Sequence, residues 1–155
     1  PRGLAPRARG GAPPPAAAAR VVEEFLAAAT SGRTARLVAL LTDDVTAVSD
    51  GAGLARRLLR HRSRERVASF VRAGFTSTPA KRRLAGGSLA MHLARVNGTP
   101  AVVAVVGGRV VGTVAFEVRD GKVASLYGIA ATGRLARLDE AWQRRDPGVP
   151  VIDGW

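Results

Sequence analysis

Apolar and polar positions follow two different rhythms along the chain, and the change of rhythm near Ser88 divides it. From Ser88 to Ala130 the sequence is β-rich and apolar, punctuated by Asn97-Gly98, Gly107-Gly108 and Asp120-Gly121. Each pair supplies the positive φ angles of a tight hairpin. Four strands are predicted between these turns: Ser88–Val96, Ala101–Val106, Arg109–Arg119 and Lys122–Ala130. Val114, Phe116 and Val118 alternate with Thr113, Glu117 and Arg119, the period of a strand with one buried face. Gly112, inside the longest strand, marks a bulge or bend, so the sheet is expected to curve.

Before Ser88 the spacing is helical. Val21, Val22, Phe25, Leu26 and Ala29 share one face of a helix predicted from about Ala16 to Ala29, with Pro15 near its start. A shorter helix from Thr34 to Leu41 gathers Leu37, Val38 and Leu41, with Thr34 as its cap. Thr42-Asp43-Asp44 closes it, and Val45–Ser49 reads as a short strand. Asp50-Gly51-Ala52-Gly53 is a turn by composition. Leu54–Arg62 fits a strand or a helical turn. Ser63–Phe75 reads as a helix capped by Ser63, with Val67, Phe70 and Val71 inward. Thr76–Gly87 reads as a loop. Thr132–Gln143 is a last helix carrying Leu135, Leu138 and Trp142 on one side. The order predicts an α+β fold: one curved antiparallel sheet with helices packed on its concave face.

Residues 1–15, rich in Pro, Gly and Arg, are expected to be a linker from an upstream domain. Residues 16–145 form the domain, and 146–155, with two prolines and two glycines, an extended tail. The chain starts without Met and has no signal-peptide pattern, as expected of a segment cut from a longer protein. No apolar run reaches the roughly 20 residues that span a bilayer, so no membrane partner is expected. With no Cys there is no disulfide or thiolate metal site, which suits a reducing cytoplasm. The net charge of +12 is carried almost wholly by Arg. It fits either a nucleic-acid partner or a compositional bias, because the basic residues are scattered through most segments.

Candidate chemistry is sparse. Asp50, His92 and Tyr127 are the polar groups that would have to converge above the sheet for proton transfer next to a carbonyl. Each has a structural alternative: Asp50 in its turn, His92 on a strand face, Tyr127 in the core with a satisfied hydroxyl. Two histidines 31 residues apart make no metal set, and Gly51-Ala52-Gly53 lacks the strand–helix context of a nucleotide loop. No cofactor is expected.

Three local stretches carry a family resemblance. Phe25-Leu26-Ala27-Ala28-Ala29 with Gly32, Leu37 and Leu40-Leu41-Thr42-Asp43-Asp44-Val45 resembles the opening of the SnoaL-like extension of certain extracytoplasmic-function sigma factors. That extension has the cone-shaped nuclear-transport-factor-2-like fold. Val96-Asn97-Gly98-Thr99-Pro100-Ala101 is similar to its Val-Asn-Gly-x-Pro-Ala/Gly turn. Asp50-Gly51-Ala52-Gly53-Leu54 falls at its Asp-Gly-Gly-Gly-Lys, with Leu54 replacing the basic residue. Ala131-Thr132-Gly133-Arg134-Leu135 falls at its Asn-Pro-Asp-Lys-Leu, keeping the basic residue and the leucine. The resemblance covers about Phe25 to Leu138.

It implies a bacterial regulatory domain with no reaction of its own. Its partners would be the upstream sigma domains of the same polypeptide and the RNA polymerase core, with promoter DNA reached only through those missing domains. The contact surface would comprise Asp50, Gly51, Gly53, Leu54, Arg134 and Leu135. A pocket, if used, would be lined by His92, Tyr127, Phe70, Phe116 and Trp142. A free-standing SnoaL-like cyclase or isomerase and a ligand-binding module are the alternative readings. The near-continuous apolar run Ala101–Val106 fits either burial on both sides or an exposed apolar face offered to a homodimer.

Overall fold

The structure, a computed structural model, describes residues 15–51 and 58–155. The first helix, α1 (Pro15–Ser31), and a single-turn α2 (Thr34–Ala39) lead into strand β1 (Leu41–Ser49). Strand β2 (Leu59–Arg62), α3 (Arg64–Phe75) and α4 (Pro79–Ala85) follow. The meander is β3 (Ala90–Val96), β4 (Thr99–Val106), β5 (Arg109–Arg119) and β6 (Lys122–Ile129), and α5 (Thr132–Trp142) comes last.

The six strands form one sheet in the order β2-β1-β6-β5-β4-β3. The expected α+β cone is present, with one correction to the sheet: it is mixed, because β1 lies parallel to β6. The other four pairings are antiparallel. The parallel pair follows from the connection, since the meander must return its last strand beside β1 to complete the sheet, and it arrives in the same direction.

All three predicted hairpins form on their two-residue turns. Asn97 and Gly98 have φ of 53° and 77°, and Asp120 and Gly121 of 54° and 73°. The register between β4 and β5 slips where Ala104 pairs with Gly112 and Val105 with Val110, which is the bulge expected at Gly112.

Several boundaries are corrected. Strand β1 starts at Leu41, so Thr42-Asp43-Asp44 lies in a strand instead of ending a helix. Val123 N–H donates to Leu40 O, Leu41 pairs with Val123, and a register shift before Thr46 absorbs the exposed Asp43-Asp44. Thr34 is not the cap of α2; Arg33 precedes the helix without a side-chain cap. Residues 79–85 of the expected loop form α4, capped by Thr78 and started by Pro79. Ser63 caps α3 as expected, accepting from Arg66 N–H at 3.3 Å.

Two cores sit on opposite faces of the sheet. On the inner face, Val22, Phe25 and Leu26 of α1 and Val67 and Val71 of α3 pack with Val45, Val102, Phe116 and Leu126. Phe25 meets Phe116 edge-to-face at 5.4 Å, a geometry worth about 0.5–1.5 kcal/mol beyond burial. On the outer face α5 places Leu135 and Trp142 over Val103, Val105 and Val110. The run Ala101–Val106 is thus covered from both sides.

The tail closes the other edge of the sheet. Leu89 and Met91 exchange backbone hydrogen bonds with Trp155 and with Val151 and Ile152, beside β3. Trp155 Nε1 donates to Phe75 O at 2.6 Å, and its ring packs with the inner core.

Candidate functional site

The turn after β1 is tied to the start of α5 by one carboxylate. Asp50 N–H donates to Gly128 O, which places the side chain at the end of β6. Its Oδ1 and Oδ2 accept from Ala130 N–H at 3.0 and 3.1 Å, and Oδ2 accepts from Ala131 N–H at 3.0 Å. Ala131 occupies the cap position of α5 and has no side-chain oxygen to cap the helix, and a carboxylate distant in sequence accepts from its own N–H and from that of Ala130 just before it. The negative charge also lies at the positive end of the helix dipole. Gly51 turns the chain with φ of 62°, and its N–H donates to Ser49 Oγ at 3.0 Å.

Six residues were expected at a contact surface, and they have different places. Asp50 and Leu135 are 5% and 4% exposed, so they build the surface from beneath. Gly51 is half-buried and Arg134 exposed. Arg134 Nη1 donates to Tyr127 Oη at 3.4 Å. Gly53 and Leu54 lie outside the described residues.

The five pocket candidates are distributed over four environments. His92 and Trp142 meet edge-to-face at 5.3 Å in the outer core, and His92 Nδ1 is buried without a hydrogen-bond partner. Phe116 fills the inner core against Phe25. Phe70 stacks on His61 at 4.1 Å beside a shallow groove of about 460 Å³, which His61, Glu65, Arg66, Ser69 and Phe70 line. Tyr127 is 39% exposed on the outer face. Asp50, His92 and Tyr127 therefore each have their own partners. Among the described residues, no cluster of His, Asp and Glu is placed to hold a metal ion. Among the same residues, no helix is long and apolar enough to cross a membrane.

Two anchors were not anticipated from sequence. Asp139 on α5 accepts from Val110 N–H at 2.9 Å and Gln143 Nε2 at 3.0 Å, with Arg109 Nη2 3.4 Å away. The Val110 hydrogen bond, with help from Gln143 and Arg109, holds its carboxyl below the usual value of 3.8. Lys81 Nζ donates to the carbonyls of Ala73 and Thr76 at the end of α3, and desolvation lowers its pKa. An Asp three positions before a Trp, and a Lys two positions after a Thr-Pro, carry no pattern that points to such roles.

The comparisons with known proteins agree with this architecture. The SnoaL-like domain profile matches residues 22–126. The chain belongs to the SnoaL-like domain family. The matched span starts in α1 and ends in β6, so the Asp50 turn is inside it and α5 beyond it. Among solved structures, the extracytoplasmic function sigma factor SigJ of Mycobacterium tuberculosis is 32% identical, with a TM-score of 0.52. That alignment covers 76% of this chain but 43% of SigJ, so the chain spans less than half of that protein. An NTF-2 like protein of unknown function from Burkholderia xenovorans LB400 is 14% identical at a TM-score of 0.50, covering 78% of this chain and 91% of that one. A de novo designed protein with a curved β-sheet is 17% identical at 0.50, over 83% and 95% of the two chains. The last two likenesses establish the fold alone. No curated protein matches the chain significantly.

Proposed function

We propose that this SnoaL-like domain is the C-terminal regulatory part of an extracytoplasmic-function sigma factor. It modulates how upstream sigma domains engage the RNA polymerase core, and reaches promoter DNA through those domains. The observation that carries this reading is the Asp50–Ala131 linkage, because it joins the Asp50-Gly51 turn to the start of α5, 80 residues further along the sequence, at one place on the fold. The likeness to SigJ supports it, as a domain covering 43% of that chain leaves room for sigma domains outside it.

The residues divide their roles by exposure. Asp50 and Leu135 fix the first turn of α5, and Arg134 stands out from it as a fork of donors for a carboxylate on a neighbouring domain. A short flexible tether to an upstream domain would bring such a contact to an effective concentration of roughly millimolar, enough to populate a weak interface. A SnoaL-like cyclase or isomerase would instead need convergent acid and base groups. Asp50 is taken up by backbone N–H groups and His92 by the Trp142 ring, which supports the regulatory reading.

The test is hydrogen exchange at residues 131–135 in the chain alone and in the full-length protein. The proposal expects added protection in the full-length protein, lost on Arg134→Ala. Equal exchange in both would contradict it.

A further inference from the structure

Among the described residues, the outer face of the sheet is covered only in part. Helix α5 lies over Val103, Val105 and Val110, with Ile129 at the end of β6 beside them, and leaves the middle of β6, β1 and β2 uncovered on that side. Alternation fixes what they present. Val45, Ala47, Leu126 and Phe116 face the inner core, so Thr46, Val48, Ser125, Tyr127, Ala115 and Glu117 point outward. His61 stacks on Phe70 of the inner-face helix α3, so Arg60 and Arg62 point outward as well.

The register aligns these side chains in two rows across the strands. One row is Arg60, Val48, Tyr127 and Ala115; the other is Arg62, Thr46, Ser125 and Glu117. Tyr127 is the exposed aromatic in the middle, about 10 Å from Arg60 at two strand spacings. Arg134 reaches it from the start of α5. Among the described residues Arg60, Arg62 and Arg134 form no ion pair, and all three are exposed.

We propose that this open face binds single-stranded nucleic acid, with a base on the Tyr127 ring and phosphates on Arg60 and Arg62. An exposed ring on a sheet, flanked by guanidinium groups, offers both interactions such a strand needs: stacking for a base and cations for its backbone. A duplex keeps its bases stacked inside and offers the Tyr127 ring no free base face. Charge argues against a second copy as the occupant, since a twofold pairing sets three arginines against three, with Glu117 the acid each copy offers on these rows. The net charge of +12 adds long-range attraction for a polyanion. Base stacking and phosphate contacts do not depend on the sugar, so DNA and RNA strands bind comparably.

The experiment is fluorescence anisotropy of the full chain with labelled oligothymidylate, oligouridylate and a duplex, each of about 12 units, between roughly 50 and 200 mM salt. Both single strands are expected to bind alike and the duplex more weakly. Tyr127→Ala weakens binding about ten-fold, the scale of one lost base stack, while Tyr127→Phe keeps the ring and the affinity. Arg60→Gln with Arg62→Gln lowers the slope of log affinity against log salt by about 1.4. Arg82→Gln with Arg83→Gln on α4 removes the same charge elsewhere and leaves the slope within experimental scatter. Circular dichroism confirms that each variant folds. The proposal is overturned if Tyr127→Ala and wild type bind equally, if the α4 pair lowers the slope as much, or if neither single strand binds. A dimer in sedimentation that Tyr127→Ala dissociates would assign the face to a second copy and overturn it too.

Discussion

The Asp50 carboxylate accepts a hydrogen bond from the Ala131 N–H across 81 residues of sequence, and this contact sets where α5 begins. Strand β1 ends at Ser49 and β6 at Ile129, and their parallel pairing delivers both chain ends to the same edge. The sequence after β6 supplies no capping oxygen of its own, so the helix start depends on a residue from the far side of the fold.

Asp50→Ala removes the acceptor for two backbone N–H groups in a partly buried site. Leaving such donors unsatisfied costs about 1–3 kcal/mol. Urea denaturation is expected to show that loss, and hydrogen exchange to show faster opening of residues 130–134. Asp50→Asn keeps one acceptor oxygen and is expected to fall between the two.

Ser63 is held at φ 71° and ψ 147°, a region almost reserved for glycine, while its hydroxyl caps α3. The strain costs about 1–3 kcal/mol, and replacing a Ser cap by Gly costs only a few tenths. Strain is therefore the larger effect. Ser63→Gly is expected to raise the stability by about 1 kcal/mol in thermal or urea unfolding. Ser63→Ala keeps the strain and loses the cap, and is expected to lower it.

Asp139 gives a pH signature. Its folded pKa lies below 3.8, first because of the Val110 N–H hydrogen bond and then because of Gln143 and Arg109. The folded state therefore favours the ionised form. The stabilisation is complete above the ordinary carboxylate range and is lost as the pH falls through the lower folded value. The stability gap between wild type and Asp139→Asn is expected to be largest near neutrality and to close below about pH 3.8, as followed by urea unfolding across pH.

Phe25 and Phe116 join the longest helix to the longest strand. Both are fully buried, so truncating either to Ala leaves a cavity costing about 3–5 kcal/mol. Because they touch, the double variant should cost less than the sum of the two single ones. Chemical denaturation of the four proteins measures the coupling.

The meander was legible because its turns are local. Asn97-Gly98, Gly107-Gly108 and Asp120-Gly121 declare their positive φ without knowledge of the rest of the fold. The α1 and α3 faces were legible from helical spacing for the same reason. Helix α4 escaped because none of its residues is buried, so no apolar period marks it; Thr78-Pro79 and Gly86 were its only signals. The Thr42–Asp44 part of β1 escaped because an acidic pair argues against a strand, and only the pairing of β1 with β6 on either side of it, at Leu41 and from Thr46 onward, overrides that. At the candidate site, the Asp50 turn was visible as composition, yet its partners on Ala130 and Ala131 are long-range backbone groups with no signature. His92 was undecided between faces, and its burial against Trp142 depends on where α5 packs.

The central claim is regulatory, and transcription by the full-length protein tests it most directly. Run-off transcription from a cognate promoter would compare wild type, Arg134→Ala, and a truncation after Gly11 that removes the domain. Arg134 is exposed, so its loss tests the surface without disturbing the core. The account predicts that both changes alter transcript yield or core polymerase affinity in the same direction, with the truncation the larger. Unchanged transcription in both would contradict it.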